Sequence, residues 1–274
     1  LPLILIDGTH YLYRAFHAMP SLSNASGEPT GAAYGVVNMI RKILEEYDPT
    51  HIAVVFDAKG KTFRNEMYDQ YKANRPPMPE ELREQIPVVN ELIEALGIPV
   101  LIIPGVEADD VIGTLTKKAT SEGLPSLISS GDKDLAQLVN EQVTMINTMD
   151  GVLLDTEGVV SKWGVPPHLI IDYLTLVGDA VDNIPGVPKV GPKTAVKWLD
   201  AYGSIDGVIA HATQIKGKVG ESLRASLDHL PLSRKLATIK CDVELAANVD
   251  DLRLKAPDEE KLRALYGRLE FRTW

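Results

Sequence analysis

An α/β fold with a mainly parallel sheet is predicted by the spacing of apolar residues along the chain. Short apolar, β-branched runs alternate with longer segments in which apolar residues recur every three or four positions. This alternation is typical of successive strands and helices in a parallel sheet. The 274 residues are 45% hydrophobic, which supports a buried core without disulfides. The single cysteine, Cys241, cannot form an internal disulfide, so we expect an inert thiol in a reducing compartment.

The predicted elements follow one another in the order that this fold requires. Strands are expected at residues 3–6, 52–56, 99–103 and 126–129, and helices between them at 32–47, 80–96 and 108–121. Residues 143–146 and 152–154 flank the turn Met149-Asp150-Gly151. This pattern predicts a hairpin at the edge of the sheet.

Two stretches interrupt the alternation. Residues 59–75 are basic, aromatic and polar, and the prolines at 76, 77 and 79 end this segment because no helix continues through so many prolines. After Gly164 and the prolines at 166 and 167, helical patterns dominate to the C-terminus. We therefore expect an α/β domain at 1–165, with an insertion at about 59–79, and a helical domain at 166–274.

The formal net charge of −10 argues against general binding of nucleic acid or anionic membrane, because the averaged field of the protein repels phosphate. A polyanion would bind only where cations are gathered in one place. The sequence has no run of about 18 apolar residues, and its first residues lack the basic flank of a signal peptide. These features predict a soluble, cytoplasmic protein.

Acidic residues follow each of the four predicted parallel strands. The carboxyl ends of such strands share one edge of the sheet, where ligands bind, so these side chains should converge. Two further acids follow Gly178 at a spacing of three, which would place them on one face of a helical turn. The nine candidates are Asp7, Asp57, Glu107, Asp109, Asp110, Asp132, Asp134, Asp179 and Asp182.

Nine carboxylates in one cleft repel one another unless a counterion is present. Mg²⁺ and Mn²⁺ prefer oxygen ligands, and a surplus beyond one octahedral set suggests two ions. Without these nine charges the net charge changes from −10 to −1, so the acidity belongs largely to one site and a nucleic-acid substrate becomes plausible. Each acid alone could instead cap a helix or form a turn. Capping does not account for acids after all four strands, so the metal interpretation is favoured.

The basic segment offers groups that could hold an unpaired nucleic-acid strand. If it is helical, Arg64, Tyr68, Tyr71, Lys72 and Arg75 lie on one broad face that combines phosphate donors with stacking surfaces. The alternative is a solvated helix whose charges pair with their neighbours. The segment leaves the acidic edge of the sheet, which favours the first interpretation. Arg14 is a weaker candidate of the same kind.

A glycine turn that opens a helix is expected within residues 183–195. It superficially resembles a phosphate-binding loop of nucleotide hydrolases, but Pro192 separates Gly191 from Lys193, so the spacing is wrong. Such a turn offers backbone N–H groups and a positive helix end to a DNA phosphate. A plain turn between helices is the alternative. The candidate residues are Gly186, Lys189, Gly191, Lys193 and Thr194.

Taken together, these motifs resemble the 5′-nuclease domains of bacterial DNA polymerase I, members of the flap endonuclease family. The resemblance covers essentially the whole chain. It implies a PIN-like α/β core with helices on both faces of the sheet, and a helix-two-turn-helix DNA clamp at about 183–200 that often holds K⁺. It assigns the nine acids to the metal site, and Tyr71, Lys72 and Arg75 to an arch that guides the 5′ strand. The motifs are Ile6-Asp7-Gly8 and residues 11–16, 55–57, 71–77, 105–110, 131–134 and 178–187.

The resemblance also implies a reaction and a set of partners. We expect hydrolysis of phosphodiesters at 5′ flaps, nicks and RNA primers in replication and repair, by a monomer linked to or cooperating with a DNA polymerase. Two Mg²⁺ ions about 3.5–4 Å apart, replaceable by Mn²⁺, would drive the reaction. Asp109, Lys72 and Arg75 are the expected catalytic residues. The two cations would neutralise charge on the scissile phosphate, an effect on the order of 10²–10³ in rate.

The sequence departs from the family pattern at three places. Lys189 stands where glycine is usual in the family, so we expect a positive φ in the turn that meets the duplex, which lysine adopts at a cost. Pro192 replaces a frequent acidic residue, and Ala180-Val181 replace a small polar pair.

A non-catalytic protein that binds DNA junctions is the main alternative function, although such a protein has no use for a cluster of acids that repels phosphate. A phosphatase of small phosphoesters is another alternative, and it would not need the basic segment.

Overall fold

The computed structural model describes residues 2–147 and 150–272, so Met149 of the predicted turn lies outside the described residues. It forms a six-stranded sheet surrounded by helices. The strands are β1 (Leu3–Asp7), β2 (His51–Asp57), β3 (Val100–Ile103), β4 (Ser126–Ser129), β5 (Val143–Ile146) and β6 (Leu153–Leu154). The helices are α1 (Gly8–Ala18), α2 (Gly31–Tyr47), α3 (Phe63–Met67), α4 (Glu80–Ala95), α5 (Ala108–Ser121), α6 (Thr156–Trp163), α7 (Ile170–Val177), α8 (Pro192–Tyr202), α9 (Ile205–Ala210), α10 (Gly217–Ser226), α11 (Leu230–Ala237) and α12 (Glu259–Leu269).

The strand order is β3-β2-β1-β4-β5-β6, and all neighbours are parallel except β5 and β6, which form the predicted antiparallel hairpin. The connections run in opposite directions on either side of β1, so a crevice opens between the carboxyl ends of β1 and β4. The register pairs Asp7 with Val55 and Ile6 with Ser129. The ends of β1, β2 and β4 therefore lie side by side, as the sequence predicts.

Alternating residues of the central strand enter two hydrophobic cores, one on each face of the sheet. Ile4 and Ile6 pack with apolar residues of α1, α2, α4 and α12. Leu3 and Leu5 pack in a second core that includes α5 and continues into α7, α8 and α10. Both faces of a parallel sheet need such covering. The second core joins the sheet to the C-terminal helices, so it fixes the position of these helices relative to the strand ends.

Two local expectations are wrong. The segment at 59–75 is helical only over α3, and Lys72 has a left-handed backbone with φ of 57°, so the expected broad helical face does not form. The Lys72 N–H donates to the carbonyl of Asp182 at 2.9 Å, which replaces a helical bond by a tertiary one. Asp179 and Asp182 lie in a turn closed by backbone bonds between Asp179 and Ile184, and this turn is not helical.

No helix within residues 2–147 and 150–272 is both long enough and apolar enough to span a bilayer.

Candidate metal centre and substrate-binding surface

Carboxylates from the sheet edge and from the helical region meet at the crevice. Ligand atoms of Asp109, Asp132 and Asp134 lie within 4.8 Å of one another, and so do those of Asp134, Asp179 and Asp182. Asp134 belongs to both groups and joins them into one site. Asp7 and Asp57 border this site, because their charges act on Asp109. We call these seven side chains the acid cluster: Asp7, Asp57, Asp109, Asp132, Asp134, Asp179 and Asp182.

Several members of the acid cluster accept hydrogen bonds from backbone N–H groups at the starts of helices. The sequence analysis treated such capping and metal binding as alternatives for these acids. Asp7 caps α1, with Oδ1 accepting from the His10 N–H at 3.0 Å. Asp57 accepts from the Ala108 N–H at 2.7 Å, and Asp132 accepts from the Asp134 N–H at 2.9 Å. The capping bond in each case uses one lone pair on one oxygen. The other lone pairs leave the carboxylate able to bind a cation, so capping and metal binding are compatible.

The electrostatics of the acid cluster disfavour its full ionisation without a cation. Burial raises the pKa of Asp7 to about 7, with further contributions from Asp132 and Asp57, although the His10 N–H acts against the shift. Loss of hydration, followed by repulsion from Asp132, raises the pKa of Asp109 and of Asp134 well above the ordinary value. Carboxylates whose oxygens lie within 4.8 Å of one another are stabilised when they share a bound cation or a proton.

The residues of the acid cluster fit a hard divalent cation. All donors are carboxylate oxygens, which such cations prefer. Oδ1 of Asp134 is buried and has no hydrogen-bond partner within the described chain. A buried charged oxygen without a donor is costly unless a cation faces it. The donor set and this unpaired oxygen together indicate a divalent metal site at the point where the two groups of acids meet.

Asp110 does not belong to the acid cluster, which corrects the sequence prediction for this residue. It is fully buried, and both of its oxygens accept from the Arg64 guanidinium at 2.8 Å. They also accept from the backbone N–H groups of Glu107 and Lys240, each at 2.9 Å. A bidentate pair with two further donors leaves Asp110 little capacity to bind a metal ion.

The sequence analysis predicted that Arg64 donates to phosphate, and the structure corrects this prediction because the Arg64 donors are already occupied. Its side chain is 3% exposed, and its remaining donors bind Glu107 at 2.7 Å and the carbonyls of Leu236 and Thr238 at 3.0 and 2.8 Å. We call Arg64, Glu107 and Asp110 the Arg64 network. This network ties the inserted segment to the start of α5 and to the C-terminal end of α11.

Glu107 also connects the Arg64 network to Tyr71 and Lys72 of the inserted segment. The Glu107 carboxylate accepts from the Tyr71 hydroxyl at 2.9 Å and also contacts Lys72. Tyr71 is 4% exposed and packs with Ile184 and Leu236, so the expected role of its ring as a stacking surface is wrong for this structure. Glu107 is held by three partners, and its charge also contributes to the raised pKa of Asp109.

Lys72 and Arg75 face the acid cluster, as the sequence predicts. The Lys72 ammonium lies 4.0 Å from a carboxylate oxygen of Asp182, and the Arg75 guanidinium contacts the other oxygen of the same residue. Burial acts to raise the pKa of Asp182, and the two cations oppose this rise without cancelling it. Both cations remain partly exposed beside the acid cluster.

The sequence analysis missed two residues that organise the acid cluster. The Ser130 hydroxyl donates to Oδ2 of Asp7 at 2.8 Å and accepts from the Asp132 N–H at 3.0 Å. Lys133 binds Asp179 at 2.8 Å and holds the pKa of Asp179 below its ordinary value despite partial burial. Ser130 directly follows a strand that ends at the acidic edge, so its position carried a usable signal. Lys133 faces a residue 46 positions away, which local patterns do not reveal.

The glycine turn has the predicted strained backbone. Lys189 has φ of 67° and is exposed, as is Lys193 in the first turn of α8. Gly191 caps α8, and Thr194 lies in its first turn. Gly186 serves packing, because a Cβ there would lie 2.4 Å from the carbonyl carbon of Val177.

The remaining candidates, Arg14 on α1 and Tyr68 after α3, are half-buried.

Two family models match the chain in succession. The first, "5'-3' exonuclease, N-terminal resolvase-like domain", covers residues 2–164, and the second, "5'-3' exonuclease, C-terminal SAM fold", covers residues 165–260. The chain is 50% identical to DNA polymerase I of Pseudomonas aeruginosa, over 100% of this chain and 31% of that protein. It is 42% identical to a 5'-3' exonuclease of Aquifex aeolicus, over 99% of this chain and 93% of that protein. The chain thus spans about a third of the DNA polymerase I relatives and nearly all of the shorter exonuclease.

Solved structures share the fold. A T5 5'-exonuclease with bound zinc superposes with a TM-score of 0.76 at 22% identity, covering 97% of this chain and 99% of that chain. The catalytic core of Rad2 in complex with DNA superposes with a TM-score of 0.64 at 17% identity, covering 100% of this chain and 87% of that chain.

Proposed function

The chain belongs to the 5'-3' exonuclease family, and from this membership together with the acid cluster we propose that it is a structure-specific 5′ nuclease. It hydrolyses DNA and RNA phosphodiesters close to a junction between single and double strands, as a 5'-3' exonuclease and a flap endonuclease. The observation that carries the proposal is the pairing of seven converging carboxylates with two cations, Lys72 and Arg75, at the same crevice. This combination suits a substrate that is itself an anion.

The acid cluster provides two groups of ligands for divalent metal. Asp109, Asp132 and Asp134 would hold one Mg²⁺ ion, and Asp134 with Asp179 and Asp182 would hold a second, with Mn²⁺ as a substitute. When bound, these ions supply activation of the attacking water and stabilisation of the leaving oxygen.

Side chains of the protein neutralise the charge of the phosphate and position the acids. Lys72 and Arg75 exchange their carboxylate partners for oxygens of the scissile phosphate and neutralise its developing charge, an effect on the order of 10²–10³ in rate. Ser130 holds Asp7 in place through its hydroxyl.

The glycine turn and α8 form the contact with the duplex. Exposed Lys189 and Lys193 provide charge for the DNA backbone, and the start of α8 provides backbone N–H groups and the Thr194 hydroxyl. A K⁺ ion bound at this turn is part of the proposal. Arg14 and Tyr68 complete the contacts on the side of the single strand.

The DNA polymerase I relatives support the proposed biological setting. DNA with a 5′ flap, a nick or an overhang, and RNA-primed DNA, are the proposed substrates, in primer removal and repair. We place the enzyme in the bacterial cytoplasm at the nucleoid, as a monomer linked to or cooperating with a DNA polymerase. Residues 1–165 form the catalytic domain with its arch at about 59–79, and residues 166–274 form the DNA-binding domain with its clamp at about 183–200.

The test is cleavage of a labelled 5′-flap duplex that carries a one-nucleotide 3′ overlap. We expect Mg²⁺-dependent cutting at the junction, a 5′-phosphate and a 3′-hydroxyl on the products, and complete inhibition by EDTA. Binding without cutting would support the non-catalytic clamp instead. Hydrolysis of a small phosphoester without cutting of the flap would support a phosphatase.

A further inference from the structure

Two asparagine side chains hold the inserted segment against the turn at 179–184. The Asn74 amide donates to the carbonyl of Ala180 at 2.8 Å. Asn183, within the turn, donates in the opposite direction, to the carbonyl of Gln70 at 2.7 Å. We call these two hydrogen bonds the amide clasp. They join segments that lie more than a hundred positions apart along the chain.

The backbone of both segments is shaped for this contact. Lys72 and Asn183 have left-handed backbones, with φ of 57° and 58°. The Lys72 N–H donates to the carbonyl of Asp182 at 2.9 Å, and this bond lies between the two bonds of the amide clasp in the order of the chain. A left-handed backbone is unfavourable for residues other than glycine, so tertiary contacts have to stabilise it. The contact between the two segments is therefore a specific feature of the fold.

The amide clasp lies beside ion pairs that the proposed reaction has to break. Lys72 contacts Glu107 and Asp182, and Arg75 contacts Asp182. A substrate phosphate competes with these carboxylates for both cations. Once the cations have exchanged partners, their ion pairs no longer hold the inserted segment at the acid cluster. The acceptors of the amide clasp are backbone carbonyls, so the arrival of a phosphate does not remove them.

We propose that Asn74 and Asn183 are positioning residues, because the amide clasp keeps Lys72 and Arg75 beside the acid cluster while their side chains bind the scissile phosphate. This role rests on the proposed function, which assigns the two cations to the phosphate. Asn74 follows Lys72 by two residues and directly precedes Arg75, so its bond to the turn restrains the backbone of both cations. Small displacements of groups that act on a reacting centre lower the rate strongly.

The first experiment tests the contact without any need for activity, by hydrogen exchange and mass spectrometry of the DNA-free protein in EDTA. Asn74→Ala and Asn183→Gly each remove one amide, and glycine retains the positive φ. We expect backbone amides within 68–79 to exchange at least about threefold faster in each variant, because the lost bond favours local opening. Asn24→Ala is the control and should leave this segment unchanged, since Asn24 donates to the carbonyl of Arg268 on α12.

The second experiment separates positioning from binding and from general damage to the structure. Cleavage of a labelled 5′-flap duplex with Mg²⁺ is followed under single-turnover conditions at saturating enzyme, and the Kd of the flap is measured in EDTA. Asn74→Ala should lower the single-turnover rate by about tenfold and change Kd by less than about twofold. The same substitution in a Lys72→Ala/Arg75→Ala background should cause no further loss of rate, because the cations that it positions are absent.

Unchanged exchange within 68–79 in either variant, or an unchanged single-turnover rate in Asn74→Ala, would overturn the proposal. An equal loss of rate in the Lys72→Ala/Arg75→Ala background would also overturn it, since the loss would then come from general damage. Cutting by the wild type would in each of these cases leave the proposed function standing. If the wild type does not cut the flap, the proposed function fails and the positioning role fails with it, whatever the exchange experiment shows.

Discussion

The acid cluster and the Arg64 network meet in the first turn of α5, but their carboxylates have different partners. Asp109 and Asp110 are neighbours in the first turn of α5. Asp110 receives a guanidinium and two backbone donors from the chain itself. Asp109 faces Asp132, Asp7 and Asp57, and its pKa is raised well above the ordinary value. Asp110 is therefore paired with a cation from the chain itself, whereas Asp109 is surrounded by other carboxylates.

The comparison of these two adjacent aspartates teaches that a cation supplied by the fold, and not acidity, separates Asp110 from the acid cluster. Successive residues of a helix point in different directions, so two adjacent aspartates enter different surroundings. Asp110 finds its hydrogen-bond donors within the folded chain. Asp109 lies among other carboxylates, and a bound cation would reduce the repulsion between them.

The largest expected effect separates the two regions by activity. Asp109→Asn should lower the rate of flap cleavage by at least about 10³-fold, because it removes a metal ligand from the acid cluster. DNA binding in EDTA should persist or tighten, since one repulsive charge is lost. Gel-shift and single-turnover measurements on the same preparation test both statements. Unchanged turnover would remove Asp109 from the site.

The next effect separates the regions by stability. Arg64→Ala leaves Asp110 buried without its cation and should lower the free energy of unfolding by about 3 kcal/mol. The control is Arg253→Ala, which breaks an exposed pair with Asp250 and should cost less than about 0.5 kcal/mol. Urea denaturation of the two variants makes the comparison. Equal midpoints would show that the Arg64 network contributes no more than a surface pair.

A third measurement tests the raised pKa of Asp7 through the pH dependence of the free energy of unfolding. The pKa of Asp7 is raised to about 7 in the folded state, so the folded protein keeps a proton that the unfolded chain releases near pH 4. The resulting stability is present below pH 4 and is lost as pH rises through about 7. In EDTA we expect about 2 kcal/mol of stability to be lost between pH 5 and pH 8.

Asp7→Asn should reduce this dependence on pH, and added Mg²⁺ should restore stability at pH 8. A curve that is unchanged by both treatments would contradict the assignment of Asp7 to the acid cluster.

The smallest expected effect concerns the support inside the acid cluster. Ser130→Ala removes the donor to Asp7 and the acceptor for the Asp132 N–H. We expect the Mg²⁺ concentration for half-maximal activity to rise by about tenfold, with maximal activity largely retained, because supporting residues tune metal affinity. Ser130→Thr keeps the hydroxyl and should rescue the metal requirement. Loss of activity at saturating Mg²⁺ would instead indicate a general structural defect.

Much of the fold and of the acid cluster could be predicted because both depend on local patterns combined with one geometric rule. Alternating and helical periods located the first four strands to within one residue at each end, together with the hairpin partners β5 and β6. The carboxyl ends of parallel strands share an edge, so Asp7, Asp57, Asp109 and Asp132 had to converge. The left-handed conformation at Lys189 also followed from the sequence, through the glycine that is usual at this position.

The inserted segment could not be predicted in the same way. Its short α3 and the left-handed Lys72 are fixed by bonds to the loop at 180–183, including one from the Asn74 side chain to the carbonyl of Ala180 at 2.8 Å. These partners lie more than a hundred positions away along the chain, and no local period encodes them.

The sequence by itself determined the parallel sheet, its covering helices and the gathering of acids at one edge, because periodicity and strand direction are properties of short stretches. Only the tertiary structure decided which acids remain uncompensated. Arg64 reaches Asp110 across 46 positions and donates to two backbone carbonyls at the C-terminal end of α11, those of Leu236 and Thr238. Charge compensation depends on distances in space, and residues far apart in the sequence set those distances only when the whole chain has folded.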